Sequence, residues 1–205
     1  MTNTEIIENL TAWVDENICS KVQLKTPTDN SVGSQVQYVK PVAFALFVPA
    51  KDRIPPNVAA PIPSICVQVM EAKDHMTEHK RNMKIRLAVA CWNPGTQSGE
   101  IFVPHPAEDA PFGVAFTQGA AEQSYVRNLD GWKDLWNLMD VALREIEGTE
   151  FFAGVRLIKE QDIEFGPFVE DGAIWDYYPY WNGWISFNIE AGLVTRTPKS
   201  YQDLL

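Results

Sequence analysis

The stretch Trp175–Glu190 reads WDYYPYWNGWISFNIE, and its second half alternates as a strand must. Successive side chains on a strand point to opposite faces. Trp181, Gly183, Ile185, Phe187 and Ile189 therefore share one face, which reads as core. Asn182, Trp184, Ser186, Asn188 and Glu190 share the other, where Trp184 stands alone among polar residues. The first half crowds Trp175, Tyr177, Tyr178 and Tyr180 together. Each buried aromatic removes about 150–250 Å² from water, so such groups are placed where a core is locked or a partner is held.

Upstream of this strand, Asp130 is a good helix N-cap. Trp132, Leu135, Trp136, Met139, Leu143 and Ile146 then form one broad apolar stripe, and Gly148 closes it. Trp132 and Trp136 read as core, not as a ligand box. At the other end of the chain, Thr2-Asn3-Thr4-Glu5 fits a capping box. Ile7, Leu10, Val14 and Ile18, with Trp13 beside them, predict a helix over residues 3–18.

Two further strands come between the helices. Ile65, Val67 and Val69 alternate with Cys66, Gln68 and Met70, and Met83 to Cys91 alternate in the same way. The polar segment Lys73–Lys80 joins them, which predicts an antiparallel hairpin with a long tip. Val36–Val48 reads as another strand. Pro49, Pro55, Pro56, Pro61 and Pro63 make residues 49–63 an extended connector, because proline fixes φ and lacks an N–H. Residues 94–127 hold four prolines and four glycines and show little periodicity. They read as a long loop excursion, with Phe102, Phe112 and Phe116 expected to dock it. Val155–Phe165 and Tyr180–Glu190 complete the sheet across a link containing Gly166, Pro167, Asp171 and Gly172.

The order predicts a single α+β domain over residues 1–205. It has a mainly antiparallel sheet of roughly four to five strands flanked by two amphipathic helices, with 94–127 as an extended loop insertion.

The chain has 205 residues, 45% hydrophobic and 21% charged, which suits a packed globular protein. Its net charge of −10 argues against general binding to a nucleic-acid backbone, which needs clustered Lys and Arg. No apolar run approaches the roughly 20 residues of a membrane helix. The start, MTNTEIIENL, lacks a basic-then-apolar signal. A protein made in a cytoplasm, and used there or released from it, is expected. Cys19, Cys66 and Cys91 are odd in number and widely spaced, so buried free thiols are expected.

His75-Met76-Thr77-Glu78-His79 matches HxxEH, the inverted zinc-protease pattern. That pattern works on a helix, where the histidines lie one turn apart. Here it falls at a hairpin tip and reads as a solvated turn. His105, between Pro104 and Pro106, reads as solvent-facing. Ser64, Ser124 and Ser186 lack the sharp turn of a nucleophile elbow. Carboxylates are plentiful, at 27 Asp plus Glu, but nothing selects an acid–nucleophile pair. No enzyme, cofactor or metal site is expected. Trp184 is an interface candidate because Trp is enriched at binding hot spots. The other reading is that the chain's own excursion covers it.

Four segments, taken in order, resemble the tail terminator and tail-completion (head–tail joining) proteins of tailed bacteriophages. PSICVQV at Pro63–Val69 resembles their proline-led strand, and MKIRLAVACW at Met83–Trp92 their second hairpin strand. GWKDLWNLMDVALRE at Gly131–Glu145 resembles their Gly-aromatic helix. YPYWNGWISFNIE at Tyr178–Glu190 resembles their closing strand. The N-terminal third is not covered, and 94–127 is longer than the family's usual link.

The resemblance implies a structural virion protein at the head–tail joint, assembled in the host cytoplasm. Members form rings, usually hexameric, on the last ring of the tail tube. They stop tube growth and meet the head-side connector. The implied partners are other copies of this chain, the tail tube protein and a head-completion or connector protein. DNA passes through the lumen without specific binding, and an acidic subunit suits such a conduit. No membrane is involved. Trp184, Trp175, Tyr178, Phe102, Phe112 and Phe116 are the expected interface residues. The alternative is a binding module in which Trp175, Tyr178 and Trp184 form an aromatic platform for a carbohydrate or peptide.

Overall fold

A computed structural model describes residues 1–27, 37–56, 58, 60–97, 101–106, 114–119, 125–127, 129–174 and 177–193. Thr2 caps helix α1 (Asn3–Asn17) through a full capping box: its hydroxyl accepts from the Glu5 N–H, and the Glu5 carboxylate accepts from the Thr2 N–H. Ile6, Leu10, Val14 and Ile18 are buried at strict i,i+4 spacing. Ile6 thus takes the place expected of Ile7, which is half-buried at the margin of the stripe.

Short strands β1 (Leu24–Lys25), β2 (Tyr38–Val39) and β3 (Val42–Ala45) follow. The strand expected over Val36–Val48 is broken at Pro41, between β2 and β3. Next come the long hairpin strands β4 (Ser64–His75) and β5 (Lys80–Trp92). The 94–127 stretch carries β6 (Gly95–Gln97), β7 (Ile101–Pro106), β8 (Val114–Gly119) and β9 (Tyr125–Arg127). Helix α2 is Trp132–Glu147. The chain then continues through β10 (Phe151–Phe152), β11 (Val155–Leu157), β12 (Glu164–Pro167), β13 (Val169–Glu170), β14 (Ala173–Ile174) and β15 (Tyr180–Gly192).

Among the described residues, seven strands form the main sheet, in the order β10-β11-β15-β5-β4-β3, with β12 also on β15. This exceeds the roughly four to five expected. The additional strands are short edge pieces in which no period can declare itself. Every pairing is antiparallel except β3 with β4. A parallel pair needs a crossover, and the proline-rich connector after β3 supplies it.

Cross-strand register aligns Val69, Ile85 and Phe187 in one row and Val67, Leu87 and Ile185 in the next. These residues belong to the buried core apart from Val69, which packs against it partly buried. Both helices cover this same face, so the sheet is covered on one side and not flanked on two. Leu135 and Met139 of α2 sit over Gly183, where a Cβ would lie 2.8 Å from Met139 Sδ and 3.0 Å from the Gly166 carbonyl. Helix α1 packs on β3 and β4. Its Trp13 also stacks on Phe152 of β10, with centroids 4.7 Å apart. The sheet therefore curls until both of its edges reach α1. Phe152 in turn meets Phe187 edge-on at 6.0 Å.

Three further expectations are corrected. First, the hairpin ladder runs nearly to its tip, and only Met76–His79 form the turn. Arg81 grips Asp74 with both its Nε and Nη2, and also donates to Asn3 of α1, so polar residues complete the ladder. Second, Asp130 is not the N-cap of α2. It lies in a 3₁₀ turn ahead of Gly131 and pairs with Lys133 at 3.1 Å. Trp132 is 45% exposed rather than core, and Leu138 and Ala142 fill the stripe instead. Third, the 94–127 excursion is not a loop: β6 pairs with β9 and β7 with β8. Pro104 and Pro106 lie within β7, which is why its sequence does not read as a strand.

Candidate functional site

Strand β15 places its two faces as its alternation implies. Ile185, Phe187 and Ile189 are buried under the helices, and Trp181 packs against them half-buried. Trp184 points to the opposite face, also half-buried. Register sets Gly166, Trp184, Ala88, Cys66 and Phe44 in one row across five strands of that face. Large groups therefore stand on both sides of small ones. Ala88 and Ala90 are half-buried at the centre, and no helix covers this face among the described residues.

Arg86 lies one row from Trp184, opposite Ser186. Its guanidinium carbon sits 5.5 Å from the centroid of the Trp184 ring, a cation–π arrangement. Its Nε is buried without a hydrogen-bond partner. Towards the hairpin tip the same face becomes ionic: Lys73 meets Glu71, Lys80 meets Glu190 and Lys84 meets Glu164. Trp184 and Arg86 thus mark the border between an apolar half and a charged half.

The opposite end of the β5–β15 ladder is aromatic. Its last pair is Trp92 with Tyr180. Tyr177 and Tyr180 close a turn around Pro179, and the Pro179 carbonyl accepts from the Asn93 N–H. The Tyr178 hydroxyl donates to the Pro94 carbonyl at 2.5 Å, and Trp181 Nε1 donates to the Asn93 carbonyl at 3.2 Å. Tyr178 therefore ties the entry of β15 to Pro94, where the 94–127 excursion begins. Beside this end the β13–β14 ribbon stands apart from the main sheet. Val169 and Ile174 face each other across it and are 58% and 66% exposed.

Of the other expected interface residues, Phe102 and Phe116 lie in the paired strands β7 and β8. Trp175 and Phe112 lie outside the described residues. The platform expected from Trp175, Tyr178 and Trp184 thus has one member undescribed, one turned to Pro94 and one carrying Arg86.

His75 ends β4, and Glu78 and His79 lie in the hairpin turn, so the HxxEH match has no helix under it. His75 Nε2 is 3.4 Å from Asn82 Nδ2. Among the described residues, no cluster of three or more His, Cys, Asp or Glu could hold a metal, and no helix is long and apolar enough to cross a membrane. The three cysteines are free and buried. Burial pushes the Cys19 thiol up to about 12 and the Cys66 thiol up to about 11. Cys91 is raised as well, by burial first and the nearby Asp134 second. A thiol held protonated in this way is a poor nucleophile.

Sequence reasoning missed Arg86 and the Val169–Ile174 pair. The face of Arg86 is legible from alternation, but its neighbour across the ladder depends on register. The Asp171-Gly172 dipeptide is a recognised hairpin signal that marks the ribbon.

Family models, curated proteins and solved structures were all compared with the chain, and none matches it.

Proposed function

We propose that this chain is a structural virion protein, a tail terminator that caps the tail tube as a ring and joins it to the head-side connector. The observation that carries the reading is the one-sided sheet. Both helices cover one face, and the other carries the half-buried Trp184 and Arg86 beside small residues. A subunit of a cyclic ring must offer neighbours two different surfaces, because its contacts run head to tail. The face opposite the helices and the exposed ribbon supply two such surfaces. The ordered resemblance of Pro63–Val69, Met83–Trp92, Gly131–Glu145 and Tyr178–Glu190 to the tail terminator family selects the assembly. A charge of −10 per subunit suits a bore that DNA must traverse without adhering.

The test is binding to purified tail tubes, followed by negative-stain imaging. Rings seated at one tube end support the reading, and tubes left bare at saturating protein overturn it.

A further inference from the structure

The open sheet face and the β13–β14 ribbon complement one another. On the face, Lys73, Lys80 and Lys84 meet carboxylates at 2.7, 3.2 and 2.9 Å. Arg86 meets no carboxylate among the described residues; it has only the Trp184 ring, and its Nε N–H is buried without an acceptor. The half-buried Ala88 and Ala90 lie next to it along β5, a shallow apolar floor with Trp184 at its side.

The ribbon has the opposite needs. Asp171 and Gly172, with φ of 50° and 79°, form its tight turn. Val169 and Ile174 form an apolar cross-strand pair that nothing covers among the described residues. Glu170 and Asp171 at the tip have no cation among the described residues. A ribbon of two strands is marginally stable alone, and among the described residues this one joins no larger sheet.

We infer that the ribbon of one copy lies on the Trp184–Arg86 face of the next. Val169 and Ile174 rest on Ala88 and Ala90 beside Trp184, and a carboxylate of Glu170 or Asp171 accepts from the Arg86 guanidinium. The occupant is a second copy because one chain carries both halves: a cation without an acid, and acids without a cation. Subunits of charge −10 repel one another, so the contact that joins them has to match charge locally. The contact joins two different surfaces and is heterologous, as a ring requires. It names the self-contact of the assembly proposed above and rests on that reading.

Sedimentation velocity of the full chain, free and on purified tail tubes, tests the contact. The variants are Arg86→Glu, the pair Glu170→Lys with Asp171→Lys, and the combined reversal, each first shown to be folded by circular dichroism. Each separate reversal is expected to weaken self-association at least about tenfold, since it sets like charges together in the contact. The combined reversal should recover association to within about threefold of the wild type, because the two sites couple. Reversals that associate like the wild type overturn the contact. So does a folded combined variant that fails to recover, or a wild-type chain that never self-associates free or on tubes. Association that follows the expected pattern without tube binding keeps the contact and refutes the tail terminator. Tube capping indifferent to the reversals does the opposite.

Discussion

Gly131 leaves the space that the Trp181 indole occupies. A Cβ at Gly131 would lie 2.3 Å from Trp181 Nε1 and 2.9 Å from the Asn93 carbonyl that accepts its hydrogen bond. The start of α2 can approach β15 this closely only without a side chain. Gly131→Ala should therefore destabilise the protein by about 1–3 kcal/mol, and alanine is also the poorer residue at this N-cap. Urea denaturation measures the loss. An unchanged midpoint would show that the helix does not seat on Trp181.

A second glycine makes the same point in the sheet. At Gly183 a Cβ meets Met139 Sδ at 2.8 Å and the Gly166 carbonyl at 3.0 Å, whereas at Gly192 nothing lies within 4 Å. Gly183→Ala should cost about 1–3 kcal/mol as an overpacked site. Gly192→Ala should shift stability by no more than about 0.5 kcal/mol. Equal effects at the two positions would contradict the packing of α2 on β15.

The buried thiols set a pH dependence. Cys19 and Cys66 are raised from an ordinary value near 9.0 to about 12 and about 11. Above pH 9 the unfolded chain releases these protons while the folded chain keeps them. Stability is then fully present below about pH 9 and falls as pH rises towards 12. In the same way, a thiol reagent at pH 8 should label the folded protein far more slowly than the unfolded chain. Rapid labelling of all three cysteines in the folded state would contradict their burial.

Trp184 is half-buried beneath Arg86, and in the proposed ring it serves the contact between copies more than the fold. Trp184→Ala should cost less than the ~3–5 kcal/mol of a core aromatic and should abolish tube capping. Retained capping by this variant would remove Trp184 from the interface. Glycan-array binding by the wild type that is lost in Trp184→Ala would favour a carbohydrate-binding platform instead.

Much of the fold is legible in the sequence where apolar periods are long. The capping box at Thr2 and Glu5, the hairpin strands and the split faces of β15 all stand as their patterns imply. The single strand expected over Val155–Phe165 is instead β11 and β12 with residues 158–163 outside any strand, and β10 is not foreseen; each piece spans too few residues to show a period. The paired strands β7 and β8 hide behind the prolines of β7. Trp132 fits the helical stripe and so reads as core. It is 45% exposed at the first position of α2, and the buried stripe of the helix begins one turn later, at Leu135. Trp184 was separable from the core by alternation alone. Its partner Arg86 required knowledge of which strand lies beside β15.

The most direct test of the proposed role is to add the purified chain to tail tubes that are still able to elongate, and to measure tube length and end structure by negative-stain electron microscopy. A tail terminator arrests growth and leaves a ring on one end of each tube. Tubes that continue to lengthen with both ends bare, at saturating protein, would contradict it.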